Sequence, residues 1–217
     1  MKKFLFFIAF ALNLFGFDSN QISTNILTTS KHHAIIDTKV QAGMTGYVIH
    51  DNMMIAKALS LGKGNVKYLP LVKLKNQALA TPKVMPQKDD QIIFGLYNFR
   101  GLIIAPNQDT YIKTKQKYPN INFINSDIFA NYFTTKPTID DFHHFCRDFN
   151  VGFIDFILDK EYIVDCESFV ILEKKDTKIQ KYTKPFYANY DKFTDSLFSF
   201  TPSNWINYYK SFFKIIK

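Results

Sequence analysis

The hydrophobic period of this chain changes once, at Arg100, and that change restricts the architectures open to it. Before Arg100, apolar residues come in short runs broken by turn residues. Gly43-Met44-Thr45-Gly46 leads into Tyr47–His50, and Asp51-Asn52 reads as a hairpin turn before Met53–Leu59. Gly62-Lys63-Gly64 precedes a run from Val66 to Leu74 that Pro70 interrupts. Pro82 and Pro86 hold residues 81–86 extended, because proline fixes φ and biases its predecessor away from helix. Asp89-Asp90 then turns the chain into Gln91–Phe94. Short strands at this spacing predict a β-rich, barrel-like module over residues 35–99. The polar stretch Gln21–His33 reads as an extended lead-in.

After Arg100 the order becomes strand, helix, strand, helix, helix, strand, strand. Gly101–Ala105 is a continuous apolar run closed by Pro106-Asn107, as expected of a strand buried on both faces. Residues 108–118 have helical spacing and stop at Pro119, and Ile121–Ile124 is a second short strand. Ser126 is placed to cap a helix with Ile128, Phe129, Tyr132 and Phe133 inward. Thr138 with Asp141 is a capping-box start for a helix striped by Ile139, Phe142, Phe145 and Phe149. Val151–Leu158 and Tyr162–Cys166 form a hairpin about Asp159-Lys160-Glu161, and Ser168–Leu172 continues past a bulge. This predicts an α/β module with a mixed sheet over residues 100–176, and an α+β fold overall. The charge run from Glu173 to Lys178 is expected to end the compact part. In the aromatic, basic tail, residues 181–217, Thr201-Pro202 has the form of a helix start. An amphipathic helix follows, with Trp205, Tyr208 or Tyr209, Phe212 and Ile216 on one stripe and Lys210, Lys214 and Lys217 beside it. Two dispositions fit such a helix. Trp205, Phe212, Lys210 and Lys214 contact an anionic membrane or a partner, or the stripe docks on the protein's own core.

The first seventeen residues have the layout of a secretory signal peptide. Met1-Lys2-Lys3 is positive, Phe4–Leu14 is apolar and too short to span a bilayer, and Gly16 suits a cleavage site. The expected location is the periplasm or the outer-membrane surface. Losing Lys2 and Lys3 lowers the formal charge from +8 to +6. A mildly basic exported protein suits anionic surfaces. The lysines are scattered and no basic block accompanies a stacking platform, so nucleic-acid binding is excluded. Cys146 and Cys166, an even count in an oxidising compartment, read most simply as a disulfide. Two buried free thiols, or a reactive thiol or metal site with His143 and His144, are the alternatives.

Chemistry is otherwise sparse. There is no phosphate-binding glycine loop, nucleophile elbow or zinc-protease helix. The carboxylates of Asp89, Asp90, Asp140, Asp141, Asp155, Asp159 and Asp165 fit turns, caps and a hairpin. A non-enzymatic protein without cofactor or metal is expected. Asn107, Asn125 and Ser126 follow consecutive strands, where open α/β sheets commonly take ligands. Four segments carry a resemblance: Leu79–Val84, Leu102-Ile103-Ile104-Ala105-Pro106-Asn107, Ile121–Asp127 and Cys166-Glu167-Ser168-Phe169 through Lys174. Together they resemble the N-terminal domain of the plasminogen-binding protein A family, exported proteins of host-associated Gram-negative bacteria. The likeness runs from about Val40 to Lys174, with Cys146 and Cys166 where the family has cysteines. Members that carry the plasminogen label continue into a long lysine-rich tail, whereas this sequence has about forty aromatic and basic residues there. The resemblance implies host plasminogen as partner. Kringle domains read an ammonium and a free carboxylate together, and Lys217 is the residue expected to present both. The alternative expectation is a resident periplasmic protein whose tail docks on membrane or an envelope partner.

Overall fold

A computed structural model describes residues 19–69, 71, 84–133, 136–178, 181–189 and 202–216. The first module contains β1 (Ile22–Thr29), β2 (His33–Ile36), β3 (Thr45–His50), β4 (Met53–Gly62), β5 (Asn65–Leu69) and β6 (Gln91–Phe94). These close into a barrel in the order β1-β2-β5-β4-β3-β6. Alternation drives closure: Ile26, Ala34, Ile36, Val48, Ala58, Val66, Ile92 and Phe94 are buried together in one core, as the period of two in a barrel requires.

The segment read as a lead-in is a strand. Thr24 and Ile26 of β1 are buried and their neighbours are not, and β1 pairs antiparallel with both β2 and β6. Its Ser, Thr and Asn content conceals the alternation, and without it the barrel would have two open edges. β5 ends at Leu69. Pro70 and residues 72–74 of the run expected to reach Leu74 lie outside the described residues, as do 81–83 of the extended segment.

The second sheet contains β7 (Arg100–Ile104), β8 (Asn122–Ile124), β9 (Phe153–Ile157), β10 (Lys160–Asp165) and β11 (Ile171–Asp176), in the order β11-β10-β9-β7-β8. β7 runs parallel to β8 and β9, and the β9-β10-β11 ladder is antiparallel. The sheet is therefore mixed, as expected. Gly101 lies between Phe153 and Phe123 on the flanking strands. A Cβ there would come within 2.7 Å of the Phe153 ring and 2.8 Å of the Phe123 ring. Glycine lets both rings close over β7.

Helices α1 (Gln108–Lys117), α2 (Ser126–Phe129), α3 (Ile139–Phe149) and α4 (Trp205–Lys210) complete the fold. The Thr138–Asp141 capping box opens α3, and Asn107 caps α1. Asn125, not Ser126, caps α2, because the Ser126 hydroxyl donates to the Tyr187 carbonyl at 2.7 Å. One face of the second sheet, with Ile103, Ala105, Phe153, Ile157 and Ile163, shares a core with the barrel. The opposite face, with Leu102, Ile104, Ile154, Phe156 and Val164, is covered by α2, α3 and the C-terminal segment. There Phe129 stacks on Phe142 at 4.5 Å and meets Phe145 at 5.0 Å and Phe186 at 5.4 Å. Each ring so buried contributes roughly 1.5–3 kcal/mol through burial.

Two expectations about the C-terminal part are corrected. The charge run does not end the compact part: Glu173–Asp176 belongs to β11 and pairs with β10, while Phe186, Trp205 and Tyr209 lie in the second core. The final helix begins at Trp205 rather than at Thr201-Pro202, capped by the Asn204 side chain. It stops at Lys210 because the chain turns back, and Lys214 bridges Val170 beside the start of β11.

Candidate functional site

Cys146 on α3 and Cys166 after β10 are bonded, with Cα atoms 6.0 Å apart. Both are buried. Since each sulfur is committed to the other, neither is a thiolate nucleophile or a metal ligand. His143 nearby packs edge-on against Phe169 at 5.1 Å. Burial lowers its pKa below the ordinary histidine value, and its Nε2 is buried without a hydrogen-bond partner. Among the described residues no three His, Cys, Asp or Glu side chains converge as metal ligands.

The block Cys166-Glu167-Ser168-Phe169, which carries much of the family resemblance, forms the seam between the modules. The buried Asp165 carboxylate accepts from the Thr45 backbone N–H at 2.9 Å and its hydroxyl at 2.6 Å. It also accepts from the backbone N–H groups of Glu167 at 3.1 Å and Ser168 at 2.8 Å. Burial outweighs the surrounding donors and raises the pKa of this carboxyl above the ordinary carboxylate value, while both of its oxygens act as acceptors for the four donors that face them. Ser168 donates to the Gly43 carbonyl at 2.8 Å, and Glu167 pairs with Lys57 of β4 at 2.7 Å. Gly43, at φ +93, sits where a Cβ would lie 2.2 Å from Val170. A sequence motif of functional appearance is thus an inter-module clamp.

The crevice beyond β7 and β8 is occupied by the chain itself. The Tyr187 N–H donates to the Ala105 carbonyl at 2.7 Å, Ser126 donates to Tyr187, and the Asn189 N–H donates to Asp127 at 2.5 Å. Tyr182 donates to the carbonyls of Ile104 and Ile157. Asn107, Asn125 and Ser126 are therefore cap and strap residues here.

The C-terminal helix turns its aromatic stripe inward. Trp205 is 5% exposed and Tyr209 fully buried, with the Tyr209 hydroxyl donating to the Pro185 carbonyl at 2.7 Å. Phe212 packs against the same core. Lys210 pairs with Asp159 at 2.7 Å. Lys214 is exposed, but its backbone bonds Phe169 and Ile171. Of the two dispositions open to this helix, the structure has it docked on the core. Trp205 is thereby withdrawn from any membrane or partner face. Lys217 and the expected signal segment lie outside the described residues. No helix among the described residues is long and apolar enough to cross a membrane.

Two features escaped the sequence reading. Asp155, at the centre of β9, is fully buried with neither carboxyl oxygen hydrogen-bonded. Burial pushes its pKa well above the ordinary carboxylate value; Glu161 and Glu173 add to this, and Lys117 and Lys175 oppose it. No sequence signal marks it beyond a lone acid in an apolar run. The second is an open groove of about 770 Å³ on the barrel wall, between Ile35, Leu61 and Lys63.

The chain matches the family described as plasminogen-binding protein pgbA N-terminal over residues 21–216. It is 28% identical over 181 residues to the plasminogen-binding protein PgbA of Helicobacter pylori strain 26695, and likewise to that of strain J99. Each alignment covers 79% of this chain and 40% of the relative, so the chain spans about two fifths of the length of those relatives. No solved structure matches it. With nearly its whole length inside the matched region, the chain belongs to the plasminogen-binding protein pgbA N-terminal family.

Proposed function

We propose that this chain is an exported, non-enzymatic protein of the cell envelope that captures host plasminogen, with Lys217 as the kringle ligand. The observation that carries the reading is the family match across residues 21–216, together with relatives named as plasminogen-binding proteins. Export rests on the charged and apolar layout of residues 1–17. Where Lys217 carries a free α-carboxylate, it offers a kringle an ammonium and a carboxylate together, which an internal lysine does not. The competing reading, a periplasmic protein whose tail docks on a membrane, is weakened by the burial of Trp205 and the Lys210–Asp159 pair.

The test is capture of plasminogen on the immobilised full chain, with and without a soluble lysine analogue. Capture that the analogue competes away, and that deletion of Lys217 abolishes, is the expected result. Absence of capture overturns plasminogen as partner. Undiminished capture by the deletion variant overturns Lys217 as ligand. Edman sequencing of the mature protein from surface and periplasmic fractions tests cleavage after Gly16, with Ser19 as the alternative site.

A further inference from the structure

We infer that His143 is an acid-operated latch on the C-terminal segment: its protonation loosens the bridge between Lys214 and the Phe169–Ile171 stretch while both modules stay folded. The bridge is slight. The Lys214 N–H donates to the Phe169 carbonyl at 2.8 Å, and the Ile171 N–H donates to the Lys214 carbonyl at 3.3 Å. Phe212 and Phe213 back it from half-buried positions, against Phe169 at 6.3 Å and Phe156 at 5.1 Å. Helix α4 docks more deeply, through the buried Trp205 and Tyr209. The turn that follows α4 is thus the weaker part of the C-terminal contact, and local opening starts where buried apolar contact is least.

His143 meets the bridge from α3. Its ring packs nearly perpendicular to that of Phe169 at 5.1 Å, and Phe169 supplies the carbonyl that Lys214 bonds. The imidazole bonds the Glu167 backbone, while its Nε2 is buried with no hydrogen-bond partner. A neutral ring leaves only a lone pair at that atom. A second proton would place a charged N–H there with no acceptor, which is costly in a buried site. Burial is accordingly the main cause of the lowered pKa, with Glu167 and Asp140 opposing it and Lys214 adding to it. The opposing carboxylates are poorly placed to compensate. Asp140 is exposed in the first turn of α3, and Glu167 is committed to Lys57 of β4 at 2.7 Å. Arg147, one turn on along α3, pairs with Asp148 at 3.5 Å. Lys214 is the charge that the C-terminal segment itself brings to His143, and it has the same sign as the proton.

The disulfide decides which contact gives way. Cys146, three residues along α3 from His143, is bonded to Cys166, and Asp165 ties the same block to Thr45. Helix α3 and the Phe169 block therefore cannot part locally. The Lys214 bridge rests on two backbone hydrogen bonds and two half-buried rings, so opening there admits water to the charged imidazole and carries Lys214 away from it. Since the docked pKa lies below the ordinary histidine value of 6.5, the bridge is at full strength above that value and weakens as pH falls from it towards the docked pKa.

The experiment is amide hydrogen exchange of the full chain, corrected for the intrinsic pH dependence of exchange, with the Lys214 and Ile171 N–H groups as reporters and the amides of β7 as reference. Between about pH 7.5 and 5.5, opening at both reporters should rise about threefold or more while β7 keeps its protection. In His143→Gln, which cannot take up the proton, the rise should vanish. Circular dichroism and the urea midpoint at pH 7.5 confirm that this variant folds. An NMR titration of the parent needs no variant and should place the His143 pKa below 6.5. Reporter exchange that ignores pH, a rise that His143→Gln retains, or a His143 pKa at or above the ordinary value overturns the proposal. So does loss of β7 protection in step with the reporters, since the opening is then global. Plasminogen capture has no part in these readouts, so the latch and that proposed function stand or fall separately.

Discussion

Asp165 is the position where one atom's change should be felt by both modules. Its Oδ1 accepts from the Thr45 hydroxyl and the N–H groups of Glu167 and Ser168, and its Oδ2 accepts from the Thr45 N–H. Asp165→Asn keeps an oxygen at Oδ1 but sets an amide nitrogen against the Thr45 N–H, donor against donor. One buried donor left unpaired costs about 1–3 kcal/mol, and three bonds lose their charge assistance. A destabilisation of about 2–4 kcal/mol is expected. Asp165→Ala orphans three backbone N–H groups at once; water entering the vacated space offsets part of this, giving about 3–5 kcal/mol. Thr45 lies 120 residues away on the barrel, so the loss should appear in one transition that includes both modules. Urea unfolding of the full chain, followed by tryptophan fluorescence and by circular dichroism, measures it. Asp165→Asn within about 0.5 kcal/mol of the parent would refute the reasoning, as would two transitions of which only one moves.

Asp155→Asn should abolish a pH dependence. Because the folded-state pKa is raised above 3.8, the stability linked to the neutral acid is complete below that value and is lost as pH rises towards the folded pKa. The variant's advantage over the parent in urea midpoint should therefore grow upward from pH 3.8, and parallel profiles would contradict it. Replacing Cys146 and Cys166 by serine removes a link across 20 residues and should cost about 3 kcal/mol, read by the same unfolding assay; a loss below ~1 kcal/mol would show that the loop is ordered without it. Trp205→Ala should cost about 3–5 kcal/mol, while Lys210→Ala, which breaks a half-exposed ion pair, should cost under about 1 kcal/mol. The reverse ranking in thermal or urea unfolding would mean that the helix is not docked through its aromatic stripe.

What the amino-acid sequence determined by itself is what depends on neighbours within one or two turns of chain. The switch of period at Arg100 separates a barrel from a mixed sheet, because side-chain alternation and helical spacing are local properties. The Thr138–Asp141 box fixes the start of α3 for the same reason. Cys146 and Cys166 were legible as a pair from compartment and count, and the structure puts them in reach. The tertiary structure alone decided the rest. β1 is a strand because β2 and β6 offer it partners on both sides, which its polar composition does not announce. Asp165 reads as a hairpin acid in sequence and becomes the seam only when Thr45 arrives from the barrel. The aromatic stripe of α4 is equally suited to a bilayer or a core, and the second core, already walled by Phe142, Phe156 and Phe169, supplied the apolar surface that took it. Ile35 and Leu61 look like ordinary strand residues until closure of the barrel turns them outward, since which side of a strand faces solvent is set by its partners across the sheet.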